Sequence, residues 1–364
     1  MHKGMEQGIA SATNARNNAA LSIAKVQKQS RATAQTSGAF FSHQGPSRIW
    51  KKYAYDFPCY KGQKQLMLTS PADKGLFFHR PMKVGSTTMA GIVLRLVHNR
   101  SPWMDENLKC LHRSMHGSAL SFEYAKRDRS KSFLFGLLRD PTKRAISHFF
   151  HFEVAVHQVE PTDAELKRFL RHRAAHNYYL NDMTLTKLNQ TDSPTNQLTN
   201  IVQDILEGYD FIALTERLDE SLVAMQMLLN LTTKEIVYTR ARSSGGFTNG
   251  PKNRPCIHIT PSFVSPAVQT FLDSEEWMNK SRGDLMLYRA ASASLDRTIE
   301  ALGRAKFERE LSALKEGLAL AIKNCRDRVQ GLCTEGGEHV KFENTTCYIW
   351  SEGCDHDCVN ELDI

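Results

Sequence analysis

Residues 75–98 read GLFFHRPMKVGSTTMAGIVLRLVH, and three kinds of local pattern follow one another there. Leu76-Phe77-Phe78-His79 is a short, nearly unbroken apolar run, which is how a strand covered on both faces reads. Arg80 to Ser86 is a basic loop containing Gly85, and Thr88 to His98 spaces its apolar residues as a helix does, with Thr87 or Thr88 expected as the cap. A strand that feeds a helix through such a loop aims free backbone N–H groups and the positive end of the helix dipole at one point, which is a cradle for an anion. In that cradle Lys83 supplies a point charge and Gly85 lets the backbone come close. The amide of Val84 and the hydroxyls of Ser86, Thr87 and Thr88 add donors. Lys83 precedes the glycine, whereas the nucleoside-triphosphate loop Gly-x-x-x-x-Gly-Lys-Ser/Thr places its lysine after it.

Working outward, the same grammar recurs. Ser132 to Leu138 reads as a buried strand, Arg139-Asp140-Pro141 as a turn, and Thr142 to Phe152 as a helix. A third strand is expected at Tyr209 to Thr215, followed by a helix from Asp219 to Asn230. Strands alternating with helices imply an α/β fold, a P-loop-like central parallel sheet flanked by helices, and such sheets bind ligands beyond the carboxyl ends of their strands. At the second strand end Arg139 offers a guanidinium fork, while Ser147, two turns into the helix, can donate a hydroxyl to the same anion.

These two constellations carry a family resemblance. Lys83-x-Gly-Ser-Thr-Thr88 resembles the 5′-phosphosulfate loop of sulfotransferases that use 3′-phosphoadenosine-5′-phosphosulfate (PAPS), above all the Golgi carbohydrate enzymes, whose loop reads approximately Pro-Lys-x-x-Ser-Thr. Arg139-Asp140-Pro141-x-x-Arg144-x-x-Ser147 closely resembles that family's 3′-phosphate signature. The segment Tyr209 to Leu222, with Glu216 as a structural residue, and the helix around Asp284 to Tyr288 are similar to blocks of the galactose 3-O- and uronyl 2-O-sulfotransferases. Within the uronyl enzymes a His-Gly-His segment supplies the base that takes the acceptor's proton. Here His116-Gly117 fits its first half and Ser118 stands in place of the second histidine. The resemblance therefore implies His116 as base, with His112 as the alternative. It also implies a late loop, Arg242 to Arg254, closing over the adenosine 3′-phosphate. Arg240, Arg242, Lys252 and Arg254 are its cations, and Arg254 is the expected contact.

What the resemblance implies as function is sulfuryl transfer from PAPS, as donor co-substrate and without a metal, to a hydroxyl on a glycan or glycolipid. A small-metabolite hydroxyl remains open as acceptor. Two rivals stand beside it. A nucleoside-triphosphate enzyme would need a lysine after the glycine and an acidic residue for magnesium. A non-catalytic basic protein that binds sulfated glycans would need only the charge. The 47 Lys+Arg against 39 Asp+Glu give +8, which suits anionic ligands, and no nucleic-acid partner is expected.

A chain of 364 residues with 41% hydrophobic residues builds one large domain or at most two. Residues 1–46 lack hydrophobic periodicity and read as a flexible stem, 47–305 as the sulfotransferase domain, and 306–364 as a C-terminal helix with a Cys-rich appendage. The polar stretch Arg242 to Pro255 reads as a mobile loop. Five of the 8 cysteines, Cys325, Cys333, Cys347, Cys354 and Cys358, crowd the tail. Disulfides are expected there, with zinc as the less favoured reading because the spacing lacks paired Cys-x-x-Cys. Sequons at Asn99, Asn189, Asn230, Asn279 and Asn344 agree with a secretory or Golgi-lumen setting, a cytoplasmic one being the alternative. No apolar window is long enough to span a bilayer, so membrane attachment is expected only through an anchor outside this chain.

Overall fold

The computed structural model of the chain describes residues 46–52, 75–100, 113–186, 194–242 and 244–364. The expected stem, His112, Cys59, Cys110 and the sequon at Asn189 lie outside the described residues. Strands β1 (Gly75–His79), β2 (Arg113–Met115), β3 (Ser132–Leu138) and β4 (Phe211–Leu214) form a four-stranded, wholly parallel sheet in the order β2-β1-β3-β4. Every residue of β1, β3 and β4 is buried, which is why their sequences run apolar without alternation. Phe78 of β1 pairs with Phe135 of β3, and their rings stack at 4.6 Å and 6°.

The helices that position the site are α1 (Ser86–Arg100), α2 (Pro141–His148), α3 (Tyr178–Met183), α4 (Pro194–Gly208), α5 (Leu218–Leu229), α6 (Arg282–Leu302) and α7 (Arg304–Cys325). In α6 the buried residues Leu287, Ala290, Ala291, Leu295 and Ile299 form one stripe at helical spacing, and that stripe joins the core built on the sheet. Trp50 seals the same core from the N-terminal side. Its ring meets Phe211 at 4.8 Å, and its backbone N–H donates to Thr298 Oγ1 at 3.1 Å.

α2 starts as its sequence implies. Asp140 is the cap, accepting from the Lys143 N–H at 2.9 Å, and Pro141 occupies the first helical position. Past His148 it does not continue as an α-helix but widens into a π-helix over Phe149–Val156. Phe149 and Phe150 pack there with Phe169, Phe271 and Trp277 in a second, smaller core.

Three expectations are corrected. α1 begins at Ser86, so Thr87 and Thr88 lie inside its first turn and cannot be its cap. The stretch Arg242 to Pro255 is not a mobile loop. It contains a strand, Phe247–Asn249, paired antiparallel with Cys256–His258, and the Cys256–Cys333 disulfide pins that hairpin to the tail. Nor is the tail an appendage. Cys358, Val359 and Leu362 of the tail join Phe307, Leu311 and Leu314 of α7 in the main core. All six described cysteines are paired, as Cys256–Cys333, Cys325–Cys358 and Cys347–Cys354, which leaves no thiolate there for zinc.

The tail reaches α1 itself. A Cβ on Gly91 would sit 2.9 Å from the Gly353 backbone N, closer than side chains pack. Gly91→Ala is expected to push the tail off α1 and cost about 1–3 kcal/mol, read as a lowered midpoint in thermal unfolding.

Candidate active site

Because the chain goes from β1 to β2 on one side and then back past β1 to β3 on the other, the strand order reverses between β1 and β3. That switch point opens a crevice at the carboxyl ends of the strands, and both sequence motifs leave the sheet there. Lys83 holds a left-handed backbone (φ 66°) and Gly85 another (φ 77°), so the loop curls over the end of β1. A lysine in that conformation is strained, and its neighbours must hold it. Arg139 at the end of β3 does so in part, its Nη1 donating to the Lys83 carbonyl at 3.4 Å. The Thr215 hydroxyl, at the end of β4, lies 2.5 Å from the Val84 carbonyl and 3.0 Å from that of Leu138, tying both loops together.

A pair of tyrosines at the start of α3 completes the brace. The Tyr178 hydroxyl accepts from the Met82 N–H at 2.9 Å. Tyr179 does double duty, its hydroxyl donating to the Arg139 carbonyl at 2.8 Å and accepting from the Arg139 N–H at 3.1 Å. The pair is set by Asp284 on α6, which accepts from the N–H groups of Tyr179 and Leu180 at 2.8 and 3.2 Å. Burial pushes the Asp284 carboxyl up to about 7. Glu216 keeps the structural role expected of it, accepting from the Asp140 N–H and from Tyr288 Oη.

Around this frame cations gather. Burial, then the charges of Arg242 and Arg139, brings the Lys83 ammonium down to about 8. Neither that ammonium nor the Ser147 hydroxyl makes a hydrogen bond or ion pair among the described residues. Thr88 is partly committed, its Oγ1 accepting from the Ala241 N–H at 3.2 Å. Arg144 is buried with its guanidinium 3.8 Å above the Tyr178 ring, while its Nε and Nη1 have no hydrogen-bond partner among the described residues. The ring face attracts the cation, and the carboxyls of Asp182 and Asp284 lie near enough for its charge to act on both.

His116 follows β2. Its Nδ1 is 2.7 Å from the Arg80 carbonyl, an acceptor only, so Nδ1 carries the proton and Nε2 keeps its lone pair. Although its edge is open to solvent, crowding, then the charges of Arg80, Arg242 and Lys83, draws its pKa below the ordinary imidazole value. The following Gly117 is held from beneath. Buried His79, pushed down to about 4 by burial, donates from Nε2 to the Gly117 carbonyl at 2.8 Å and accepts at Nδ1 from Tyr209 Oη at 2.8 Å.

The expected cations of the late loop divide. Arg254 donates to the Val156 carbonyl at the end of the π-helix, and Lys252 is exposed. Arg242 is the one whose charge reaches Lys83 and His116, and Asn249 and Ser351 hold its guanidinium at 2.7 and 2.9 Å. Sequence reading also passed over His148 and His151. Burial with the nearby charge of Lys83 lowers them to about 4 and about 3, so both are neutral imidazoles beside the loop. Their one sequence signal is adjacency to Ser147 across a helix that widens. Beside Thr87 and Thr88 a cavity of about 170 Å³ opens between α1, residues 238–242 and the tail.

The fold and crevice define an α/β protein that presents two cation-bearing loops side by side at a sheet's switch point. Residues 114–346 match the galactose-3-O-sulfotransferase family, well over half of the chain, and the chain belongs to that family. The matched stretch includes His116 and the Arg139–Ser147 signature; the Lys83 loop precedes it and Cys347 follows it. The chain is also 24% identical to the galactosylceramide sulfotransferase of Homo sapiens over 258 residues, 67% of this chain and 54% of that protein. It thus spans about half the length of that relative.

The brace is testable by itself. Tyr179→Phe leaves the Arg139 N–H unpaired and is expected to cost about 1–3 kcal/mol in denaturant unfolding.

Proposed function

We propose that this protein transfers a sulfuryl group from PAPS to a hydroxyl of a galactose-containing glycan or glycolipid. The observation that carries the reading is the bond from Arg139 to the Lys83 carbonyl, which brings the cations of two separate loops together. Membership of the galactose-3-O-sulfotransferase family supports the chemistry, and the galactosylceramide enzyme among its relatives supports a sugar acceptor. The disulfides and exposed sequons support a secretory or Golgi-lumen setting.

In this reading the 5′-phosphosulfate lies on the loop Lys83 to Thr88 and the 3′-phosphate on Arg139 and Ser147. The cavity beside Thr87 and Thr88 is available to the nucleoside, and Arg242 takes the role first given to Arg254. Transfer is one in-line displacement. The acceptor oxygen forms a bond to sulfur as its proton passes to His116 Nε2. The bond from sulfur to the bridging oxygen breaks, and adenosine 3′,5′-bisphosphate departs. Charge growing on the bridging oxygen is met by Lys83 and the loop amides, held in place beforehand. The reaction as written uses no metal.

Thermal shift with adenosine 3′,5′-bisphosphate, without magnesium, is the direct test. Stabilisation is expected, whereas no shift would favour a protein that only binds glycans, and a shift that needs magnesium would favour a nucleoside-triphosphate enzyme. Lys83→Ala is expected to lower kcat about 100-fold or more, and His116→Ala by a similar factor. Arg139→Ala is expected to weaken bisphosphate binding about 10–100-fold, the loss of a charged hydrogen bond.

The pH dependence has a definite sign. Burial and the neighbouring cations bring Lys83 down to about 8, and an anion favours its charged form, so bisphosphate affinity falls as pH rises through about 8. His116 must be neutral to accept a proton, so the acid limb of kcat/KM lies below the ordinary ~6.5 and the rate falls as pH drops through it. A pH profile of kcat/KM with both limbs checks these assignments together.

A further inference from the structure

We propose that the loop closed by the Cys347–Cys354 disulfide is a working part of the transfer site, with Glu352 and Ser351 as positioning residues for Arg80 and Arg242. The inference rests on the transferase reading above, and it concerns a segment that begins where the family match ends, at residue 346.

The loop is rigid for its length. The Glu352 carbonyl accepts from the N–H groups of Tyr348 and Ile349 at 3.1 and 3.2 Å, and the Glu352 N–H donates back to the Ile349 carbonyl at 2.7 Å. Its next residue, Gly353, with a left-handed φ of 64°, rests directly on Gly91 of α1, the helix that follows the Lys83 loop. From that seat two side chains reach inward. Glu352 pairs with Arg80 Nη2 at 2.5 Å, both side chains being nearly buried at 13% and 9% exposure. Ser351 Oγ accepts from Arg242 Nη2 at 2.9 Å and lies 3.1 Å from Asn249 Oδ1, which itself holds Arg242.

Both arginines matter to the chemistry. The Arg80 carbonyl fixes the His116 tautomer, so a guanidinium that swings away from Glu352 moves the backbone that aims Nε2. Arg242 lends its charge to the anion site. Glu352 is the carboxylate whose charge acts on Arg242 among the described residues, and without it the like charges of Arg80, Arg242 and Lys83 would repel in a half-buried site. The Glu352 charge counters this repulsion, favouring the ionised Arg242 where Arg80 opposes it.

The test compares the whole chain with Glu352→Gln, Ser351→Ala and the paired Cys347→Ser, Cys354→Ser variant. Trp350→Ala is the control, on the same loop but 65% exposed. Three readouts apply: calorimetry with adenosine 3′,5′-bisphosphate, NMR of the labelled His116 ring, and transfer from PAPS to a β-galactoside. Glu352→Gln is expected to lower kcat about tenfold and to shift the His116 signals from the Nδ1–H form toward a tautomer mixture. Ser351→Ala is expected to weaken bisphosphate binding about fivefold. The cysteine pair should show both effects and the control neither. Folded Glu352→Gln and Ser351→Ala proteins with wild-type His116 signals and bisphosphate affinity would overturn the proposal, even if the cysteine pair fails to fold. Should the wild type itself not bind the bisphosphate, the transferase reading falls and this inference with it.

Discussion

The parallel pairing of β1 with β3 is the constraint on which the rest depends. Its register sets Phe78 beside Phe135 and His79 beside Gly136, so the two chains leave the sheet at the same edge and nearly the same height. Parallel neighbours cannot be joined by a tight turn, and the crossover through β2 that links them also delivers His116 to that edge. One pairing therefore brings a lysine-led loop, an arginine-led turn and a histidine to one crevice. Were the two strands separated by a third, Arg139 could not reach the Lys83 carbonyl.

A crevice full of cations is costly to hold without its ligand, and the fold distributes that cost. Tyrosine hydroxyls fix the backbone of both loops, alongside Glu216 at the Asp140 N–H and the Arg139 guanidinium at the Lys83 carbonyl. Arg144 rests on an aromatic ring, and His79, His148 and His151 are kept neutral by burial. Carboxylates stand one step back, Asp284 behind the tyrosines and Glu352 behind Arg80, so the crevice stays electropositive. Preorganised positive potential of this kind is what an anionic donor and its leaving group require.

The disulfides belong to the same economy of structure. Cys256–Cys333 joins the hairpin to the tail, and Cys347–Cys354 closes the loop that seats on α1. A polar stretch rich in Gly, Ser and Asn has little apolar surface with which to hold a shape, and covalent cross-links replace the missing core. That is why residues 247–258 form a defined hairpin where composition alone suggested mobility.

The strand–loop–helix units, with the loop at Lys83 and the turn at Arg139 between strand and helix, were legible in the sequence, because each is local: apolar periodicity and a glycine act on neighbours within a few residues. The helix start after Arg139 was legible for the same reason, and the structure adds that Asp140 is its cap. The sequence could not show that Tyr178 and Tyr179 brace both loops, that Arg242 and not Arg254 faces Lys83, or that a distant carboxylate, Glu352, pairs with Arg80. Those contacts join residues far apart in the chain, and no spacing rule connects them. Tertiary packing alone decided them, since only the folded sheet and the seating of the tail on Gly91 bring such partners within bonding distance.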